Sequence, residues 1–226
     1  MKERPILFNG AMVRAIREGR KTVTRRALKV QPHIDGSGNF CVGNSNYGQD
    51  LDGRPVTKHF AKQHCPYGKP GDRLWVRETW FCDHFEVMSG PYRQPADLDL
   101  AAAREDGTLV YAADDLTPYE AEQPVWKPSI HMPRWACRLL LEITAVRVER
   151  LQDITAAQAE AEGVDAAMCR RYLETSPSRH ECKAAAIHGF AGLWADTGGD
   201  WASNPWVWVV EFQRVPSEAL AAGAAA

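Results

Sequence analysis

Long apolar runs are missing from the 226-residue sequence, and this is the first constraint on what the protein does. No stretch approaches the roughly 18 consecutive apolar residues that a bilayer-spanning helix needs. The first ten residues, MKERPILFNG, also lack the apolar centre of a secretory signal peptide. We therefore expect no membrane association and a cytoplasmic location.

The motifs of common metal and nucleotide sites are also missing. The sequence contains no Cys-x₂-Cys pair, no P-loop, no dinucleotide fingerprint and no nucleophile elbow. The six cysteines are scattered, which favours reduced thiols over a disulfide framework. We predict no bound metal and no cofactor. An irregular zinc site remains an alternative, built from Cys41, His59, His64, Cys65, Cys82 and His84.

Net charge is small, at −2, but the charges are unevenly distributed. Residues 1–26 hold eight Lys or Arg against two Glu, whereas residues 96–122 hold eight acidic residues against one Arg. A basic surface of this kind suits a phosphate-bearing partner. Two solvated faces of opposite sign would produce the same pattern, and charge alone does not separate these interpretations.

Local patterns predict alternating helices and strands. A helix is expected over Ala11–Glu18, capped by Asn9 and stopped by Gly19, and another from Thr155, where Gln158 completes a capping box. A further helix is predicted over Cys182–Trp194. Strands are predicted over Lys21–Arg26, Arg73–Trp80, Ala136–Leu151 and Pro205–Val215.

These elements favour an α+β fold, a small mixed β-barrel with flanking helices, over a doubly wound sheet. We expect one domain over residues 1–216, with irregular insertions at about 31–69 and 83–126. The Ala-rich residues 217–226 are expected to form a low-complexity tail.

The basic segment GRKTVTRR, at Gly19–Arg26, is the first candidate site. Lys21 precedes Thr24 by three positions, just after a glycine turn. An amine partly buried among other cations has a lowered pKa and can act as a base toward a hydroxyl. A surface strand with a solvated basic face is the alternative, and on spacing alone it is the commoner one.

Several separated segments together resemble one family. GRKTVTRR is followed by CPYGKPGDRLWVRETW, WKPSIHMPRWACRLLLEIT, LQDITAAQAEAEG and a closing WVWVVEF strand. In this order the segments resemble the ASCH family of the PUA-like superfamily, and most closely its phage and prophage branch. The resemblance covers about half of the chain. It implies a PUA-like β-barrel with a cleft for a nucleobase or a nucleic acid.

Some ASCH proteins hydrolyse N4-acetylcytidine, and the resemblance implies catalytic positions in this chain. They are Lys21, Thr24 and Glu162, with Glu160 as the aligned carboxylate if the helix shifts. Lys21 would activate Thr24 or a water molecule, and Glu162 would orient it or pass a proton to the leaving amine. A solvated position at the end of a helix is the other interpretation of Glu162.

Two further groups of residues suit base or phosphate contact. Lys127, His131 and Arg134 are interleaved with tryptophans, a pattern used to contact phosphates and stack bases. In the predicted strand Arg73–Trp80, Trp75 and Arg77 share one face, although Arg77 and Glu78 could instead form an internal ion pair. Adding the basic strand, the predicted binding residues are Arg20, Arg25, Arg26, Trp75, Arg77, Lys127, His131 and Arg134.

The sequence therefore predicts a protein that recognises a nucleobase, a nucleoside or a nucleic acid, with RNA preferred over DNA. Amidohydrolase activity on N4-acylated cytidine is the enzymatic form of this prediction. A non-catalytic RNA- or DNA-binding module is the main alternative, and a ribonuclease is a second one. Protein partners and oligomeric state are not predicted.

Overall fold

The structure, a computed structural model, describes residues 1–88, 90, 92–115, 125–164 and 182–216. Within these residues the strands are, in chain order, β1 (Glu3–Leu7), β2 (Val23–Ala27), β3 (His33–Ile34), β4 (Phe40–Val42), β5 (Ser45–Asn46), β6 (Arg73–Arg77), β7 (Trp80–Cys82), β8 (Leu109–Tyr111), β9 (Leu140–Arg150) and β10 (Trp206–Arg214). The helices are α1 (Gly10–Arg17), α2 (Lys58–His64), α3 (Phe85–Met88), α4 (Leu100–Glu105), α5 (Ala156–Ala161) and α6 (Cys182–Asp196). Short 3₁₀ helices cover Ala112–Asp114, Ser129–His131 and Leu151–Asp153.

The chain divides into two compact units. Of the described residues, the first contains those within 1–19, 72–142 and 213–216, and the second contains those within 20–71 and 143–212. The long strand β9 begins in the first unit and continues in the second.

In the first unit, β1 runs parallel to β6, and β6 pairs antiparallel with the first residues of β9. Ile6 lies opposite Val76, and Leu74 lies opposite Leu141. A separate two-stranded antiparallel sheet, β7 with β8, contributes to a core around Trp80, Tyr111 and Met132.

In the second unit, β10 lies between the rest of β9 and β2, and its pairing with β2 is antiparallel. Val209 lies opposite Arg25 in this register, and Val210 lies opposite Thr24. The core on one face joins Val23 and Val209 to α5 and to Phe190 and Trp194 of α6. A three-stranded sheet, β3-β4-β5, accompanies it.

The expected helix boundaries follow from capping chemistry. The side chain of Asn9 accepts a hydrogen bond from the Met12 N–H, so α1 begins one residue before the predicted position. Gly19, with φ +75°, supplies the left-handed conformation that ends it. At α5 the full capping box of Thr155 and Gln158 is present, as the sequence predicts.

The α+β class is confirmed. The predicted strands over Lys21–Arg26, Ala136–Leu151 and Pro205–Val215 correspond to β2, β9 and β10 with shifted ends. The predicted strand Arg73–Trp80 ends at Arg77, and Trp80 instead begins β7. Within the described residues, neither unit closes its strands into a barrel.

The first predicted insertion is more regular than its sequence suggests. Residues 31–69 contain β3, β4, β5 and α2. Strands of two or three residues are too short to show a hydrophobic period, which explains why the pattern is invisible in the sequence.

In the second insertion, residues 83–126, the described part contains α3, α4 and β8. The predicted tail at 217–226 lies outside the described residues. No helix in the described ranges is long and apolar enough to span a membrane.

Candidate functional site

Lys21 and Glu162 meet in the interior of the second unit. Lys21 lies two residues before the start of β2, and Glu162 follows the last residue of α5; the two residues form an isolated antiparallel bridge. The Lys21 Nζ lies 2.6 Å from Glu162 Oε2, and the exposed fractions of the two side chains are 0% and 4%. Nζ also donates to the carbonyls of Val23, at 2.8 Å, and of Glu162, at 2.9 Å. Three acceptors therefore surround an amine that has three donor positions when protonated.

Burial lowers the pKa of Lys21 below its usual value of 10.5, since the charged ammonium loses its hydration. Glu162 acts in the opposite direction by stabilising the ammonium, and the nearby Arg25 and Arg26 add to the lowering. The net effect is a pKa of Lys21 below its usual value. A lysine in this environment gives up its proton more easily than one in water, which is what a basic catalyst requires.

Arg25 extends this pair into a chain of alternating charges. Its Nη1 donates to Glu162 Oε1 at 3.2 Å, and its Nη2 donates to Glu149 Oε1 at 2.6 Å and to Gln158 Oε1 at 3.0 Å. Arg147 then links Glu149 to Glu211. The Arg25 side chain is 0% exposed, so in this conformation a phosphate in solvent does not reach it.

Thr24 is buried in β2, opposite Val210 of β10. Side chains alternate along a strand, so Thr24 points to the face opposite to Val23 and Arg25. Those two residues face α5 and α6, where Val23 joins the core and the Arg25 guanidinium lies 5.8 Å from the Phe190 ring. Because of this alternation, Arg25 lies on the strand face of the Lys21–Glu162 pair, and Thr24 lies on the opposite face.

A cleft of about 340 Å³ opens beside this cluster in the second unit. Thr22, Thr144 and Phe212 are among the residues that line it, together with Gln158 and Glu211, which belong to the charge chain. Lys21 and Glu162 lie behind the wall and do not line the cleft themselves.

Glu160, the alternative carboxylate, is exposed on α5, whereas Glu162 is buried against Lys21. Since Glu160 lies two positions earlier, it faces a different side of the helix. The contact with Lys21 therefore belongs to Glu162.

The other basic residues of GRKTVTRR lie in different environments. Arg20 is exposed, and its Nη1 donates to the Gly163 carbonyl at 3.2 Å. Arg26 is half-buried and, by strand alternation, shares the face of Thr24. Of the predicted phosphate contacts in this segment, Arg20 is thus the one fully on the surface.

Trp75 and Arg77 lie on β6 in the first unit. The Arg77 guanidinium lies 5.3 Å from the centre of the Trp75 ring, so the expected shared face is confirmed. Partial burial lowers the pKa of Arg77, and its Nη2 donates to the Ile130 carbonyl. Glu78 does not pair with Arg77; Arg138 binds it with two hydrogen bonds of 2.8 and 2.9 Å.

The residues of the Trp126–Arg138 segment are spread over separate contacts in the first unit. Lys127 Nζ lies 5.0 Å from the Tyr92 ring centre, and the exposed His131 ring lies 6.2 Å from the same ring. Arg134 pairs with Glu3 at 2.9 Å. Lys127 and His131 thus border one aromatic ring, and Arg134 is held elsewhere.

Four members of the charge chain are not predicted from the sequence: Arg147, Glu149, Gln158 and Glu211. Gln158 was assigned only a capping role, and it serves both purposes. Arg147 and Glu149 are two residues apart on β9, so strand alternation places them on one face, the single signal available in the sequence.

Among the described residues, no three His, Cys, Asp or Glu side chains are grouped so that they could hold a metal ion. In the alternative zinc set, Cys41 and Cys82 are free thiols, and the His64 Nε2 lies 3.1 Å from the Tyr47 hydroxyl.

Comparison with known proteins adds no relative. No protein-family model, no curated protein and no solved structure matches this chain.

Proposed function

We propose that this chain is an ASCH-type protein with a PUA-like core that recognises a nucleoside and hydrolyses an N4-acylated cytidine. The observation that carries the proposal is the buried Lys21–Glu162 pair, at 2.6 Å, with the pKa of Lys21 lowered by burial. A titratable group whose pKa is shifted by burial beside a cleft is typical of catalytic sites. The pairing of these two residues, 141 positions apart, is also what the ASCH resemblance implies.

The proposed reaction consumes one water and releases cytidine and a carboxylic acid. Neutral Lys21 takes a proton from water, and the resulting hydroxide attacks the acyl carbon. The bond between that carbon and N4 then breaks, and the proton held by the Lys21–Glu162 pair passes to N4 as the amine leaves. No oxidant, reductant or further reactant is needed.

Water is the nucleophile in this proposal, because Thr24 points to the opposite strand face from the cluster. The cleft lined by Thr22, Thr144 and Gln158 would hold the nucleoside. The polar residues in its lining suit the polar edge of a base. Catalysis further requires that water reach Lys21 through this wall when substrate binds.

Turnover of N4-acetylcytidine, followed by chromatography of the released cytidine, tests the proposal. The Lys21→Met substitution removes the proposed proton acceptor and should lower the rate by about 10²- to 10⁴-fold, the usual contribution of general acid–base catalysis. Thr24→Val should keep most of the wild-type rate, because the hydroxyl takes no part. The wild-type rate should rise with pH as Lys21 loses its proton. A loss of activity in Thr24→Val would contradict the assignment of water as the nucleophile.

A non-catalytic nucleic-acid-binding module is the second candidate function. One observation favours it: Lys21 is fully buried with three acceptors around its amine, the arrangement of a structural ion pair. Such a module would bind oligonucleotides and leave N4-acetylcytidine intact. Binding without turnover in the wild-type protein would therefore select this function over hydrolysis.

A further inference from the structure

The second unit contains another pocket, of about 380 Å³, which the proposed hydrolytic function does not use. Its walls come from the residues after β2, from α2 and the loop that follows it, and from Trp208 of β10. α2 belongs to the first predicted insertion, a region to which sequence analysis assigns no function. The pocket is lined by different residues from those of the cleft beside Lys21.

Aromatic rings form a large part of the pocket wall. Phe60 is stacked on Trp208, with ring centres 5.2 Å apart and planes at 14°, and on His64, at 5.1 Å and 28°. Phe60 and Trp208 are buried, whereas His64 is exposed and Tyr67 is half-exposed. The buried rings fix the shape of the wall, and the two more exposed rings remain accessible to a planar ligand.

Cations lie at and near the pocket. The exposed Lys29 lines it, and Arg26 acts electrostatically on the lining residue Tyr67. A ligand that carries phosphate next to a planar ring matches this combination of cations and aromatic rings.

We propose that this pocket binds a base of a single-stranded nucleic acid, with Lys29 contacting the adjacent phosphate. The base stacks against His64 and Tyr67 at the rim, and the buried Phe60 and Trp208 support it. A strand fits better than a free nucleotide because two exposed lysines, Lys62 and Lys69, lie in the same part of the chain as α2 and beyond the lining of the pocket. The inference does not depend on hydrolysis at the Lys21–Glu162 pair.

Fluorescence anisotropy of a labelled decauridylate provides the test. His64→Ala should weaken binding about tenfold, the usual effect of removing a stacking partner. Lys29→Ala should lower the magnitude of the salt slope of log K by about 0.7, the value for one phosphate contact on a single strand. Because His64 also contacts Tyr47, circular dichroism should first confirm that each variant is folded.

Lys58→Ala is the matched control, since Lys58 is an exposed lysine of α2 that does not line the pocket. It should change affinity much less than Lys29→Ala. Equal effects of the two lysine substitutions, or wild-type affinity in His64→Ala, would overturn the proposal. Uridine monophosphate should not displace the oligomer when the two are present at equal concentrations of nucleotide. Complete displacement under that condition would assign the pocket to a free nucleotide and would also overturn the proposal.

These outcomes are separate from those of the proposed function. A protein that binds decauridylate through Lys29 and His64 but leaves N4-acetylcytidine intact refutes the hydrolase alone. One that hydrolyses the nucleoside but fails the decauridylate test refutes the pocket alone.

Discussion

Burial of Lys21 and Glu162 in contact makes each side chain depend on the other. The ammonium and the carboxylate have both lost hydration, and their mutual attraction, together with hydrogen bonds, offsets that loss. Arg25 shares the same carboxylate through its Nη1. Removing the Glu162 carboxylate therefore leaves the buried Lys21 ammonium without its counter-ion and Arg25 with one acceptor fewer, which costs more than the pair itself contributes.

Glu162→Gln should lower the free energy of unfolding by about 3–5 kcal/mol at neutral pH, the usual cost of breaking a buried pair. The deficit should shrink as pH rises toward 10.5. Burial makes the pKa of Lys21 lower in the folded variant than in the unfolded chain, so the unfolded chain binds more protons at Lys21. Raising the pH removes those protons and therefore favours folding. Urea denaturation at several pH values measures both effects.

Glu160→Gln is the matched control for this measurement, because Glu160 is exposed on the same helix. Its stability should stay within about 0.5 kcal/mol of wild type. Equal stability of the two glutamine variants would mean that Glu162 is solvated and that the buried pair does not exist in solution.

Cys82 provides a second test at the level of a single residue. Burial raises the pKa of its thiol to about 11, and its side chain lies in the core of the first unit. The thiolate, which is the reactive form, is therefore scarce at pH 8. Iodoacetamide labelling followed by peptide mass spectrometry should modify the half-exposed Cys65 well before Cys82. Faster labelling of Cys82 would contradict the packing around β7.

At the scale of elements, α5 connects the fold to the candidate site. Its capping box sets the first turn, and the Gln158 side chain accepts from the Thr155 N–H at 3.0 Å and from Arg25 at 3.0 Å. Its last turn delivers Glu162 to Lys21. The position of the helix along the chain thus decides which carboxylate becomes buried.

Thr155→Ala should destabilise the protein by about 1 kcal/mol, the usual cost of losing a helix N-cap. The hydroxyl accepts from the Gln158 N–H, and alanine leaves that donor without its partner. Thermal unfolding should show the loss, and Thr155→Ser, which keeps the hydroxyl, should recover most of it. Equal melting temperatures for the alanine and serine variants would exclude the cap as a source of stability.

Helix ends were predictable from sequence because they depend on local chemistry. Asn9, Gly19 and Thr155 act on neighbours within four residues, so their effects appear directly in the residue pattern. The strands of the first insertion were not predictable, since two- or three-residue segments such as β3 and β5 are stabilised by pairing rather than by an internal pattern.

At the scale of the whole molecule, part of the candidate site could be anticipated and part could not. The resemblance to ASCH proteins pointed to Lys21 and Glu162, and the structure places them in contact. It gave no sign of the chain through Arg25, Glu149, Arg147 and Glu211, because such ion pairs depend on which strands become neighbours. The aromatic pocket that Trp208 helps to line could not be predicted from the sequence for the same reason.

The central claim is that the Lys21–Glu162 pair hydrolyses an N4-acylated cytidine. Its most direct test is the rate of cytidine release from N4-acetylcytidine by wild type, Glu162→Gln and Glu160→Gln, each shown to be folded by circular dichroism at the assay temperature. We predict turnover by wild type and Glu160→Gln, and a rate at least about 10²-fold lower for Glu162→Gln. No turnover by the wild-type protein, or equal rates for the two glutamine variants, would contradict the claim.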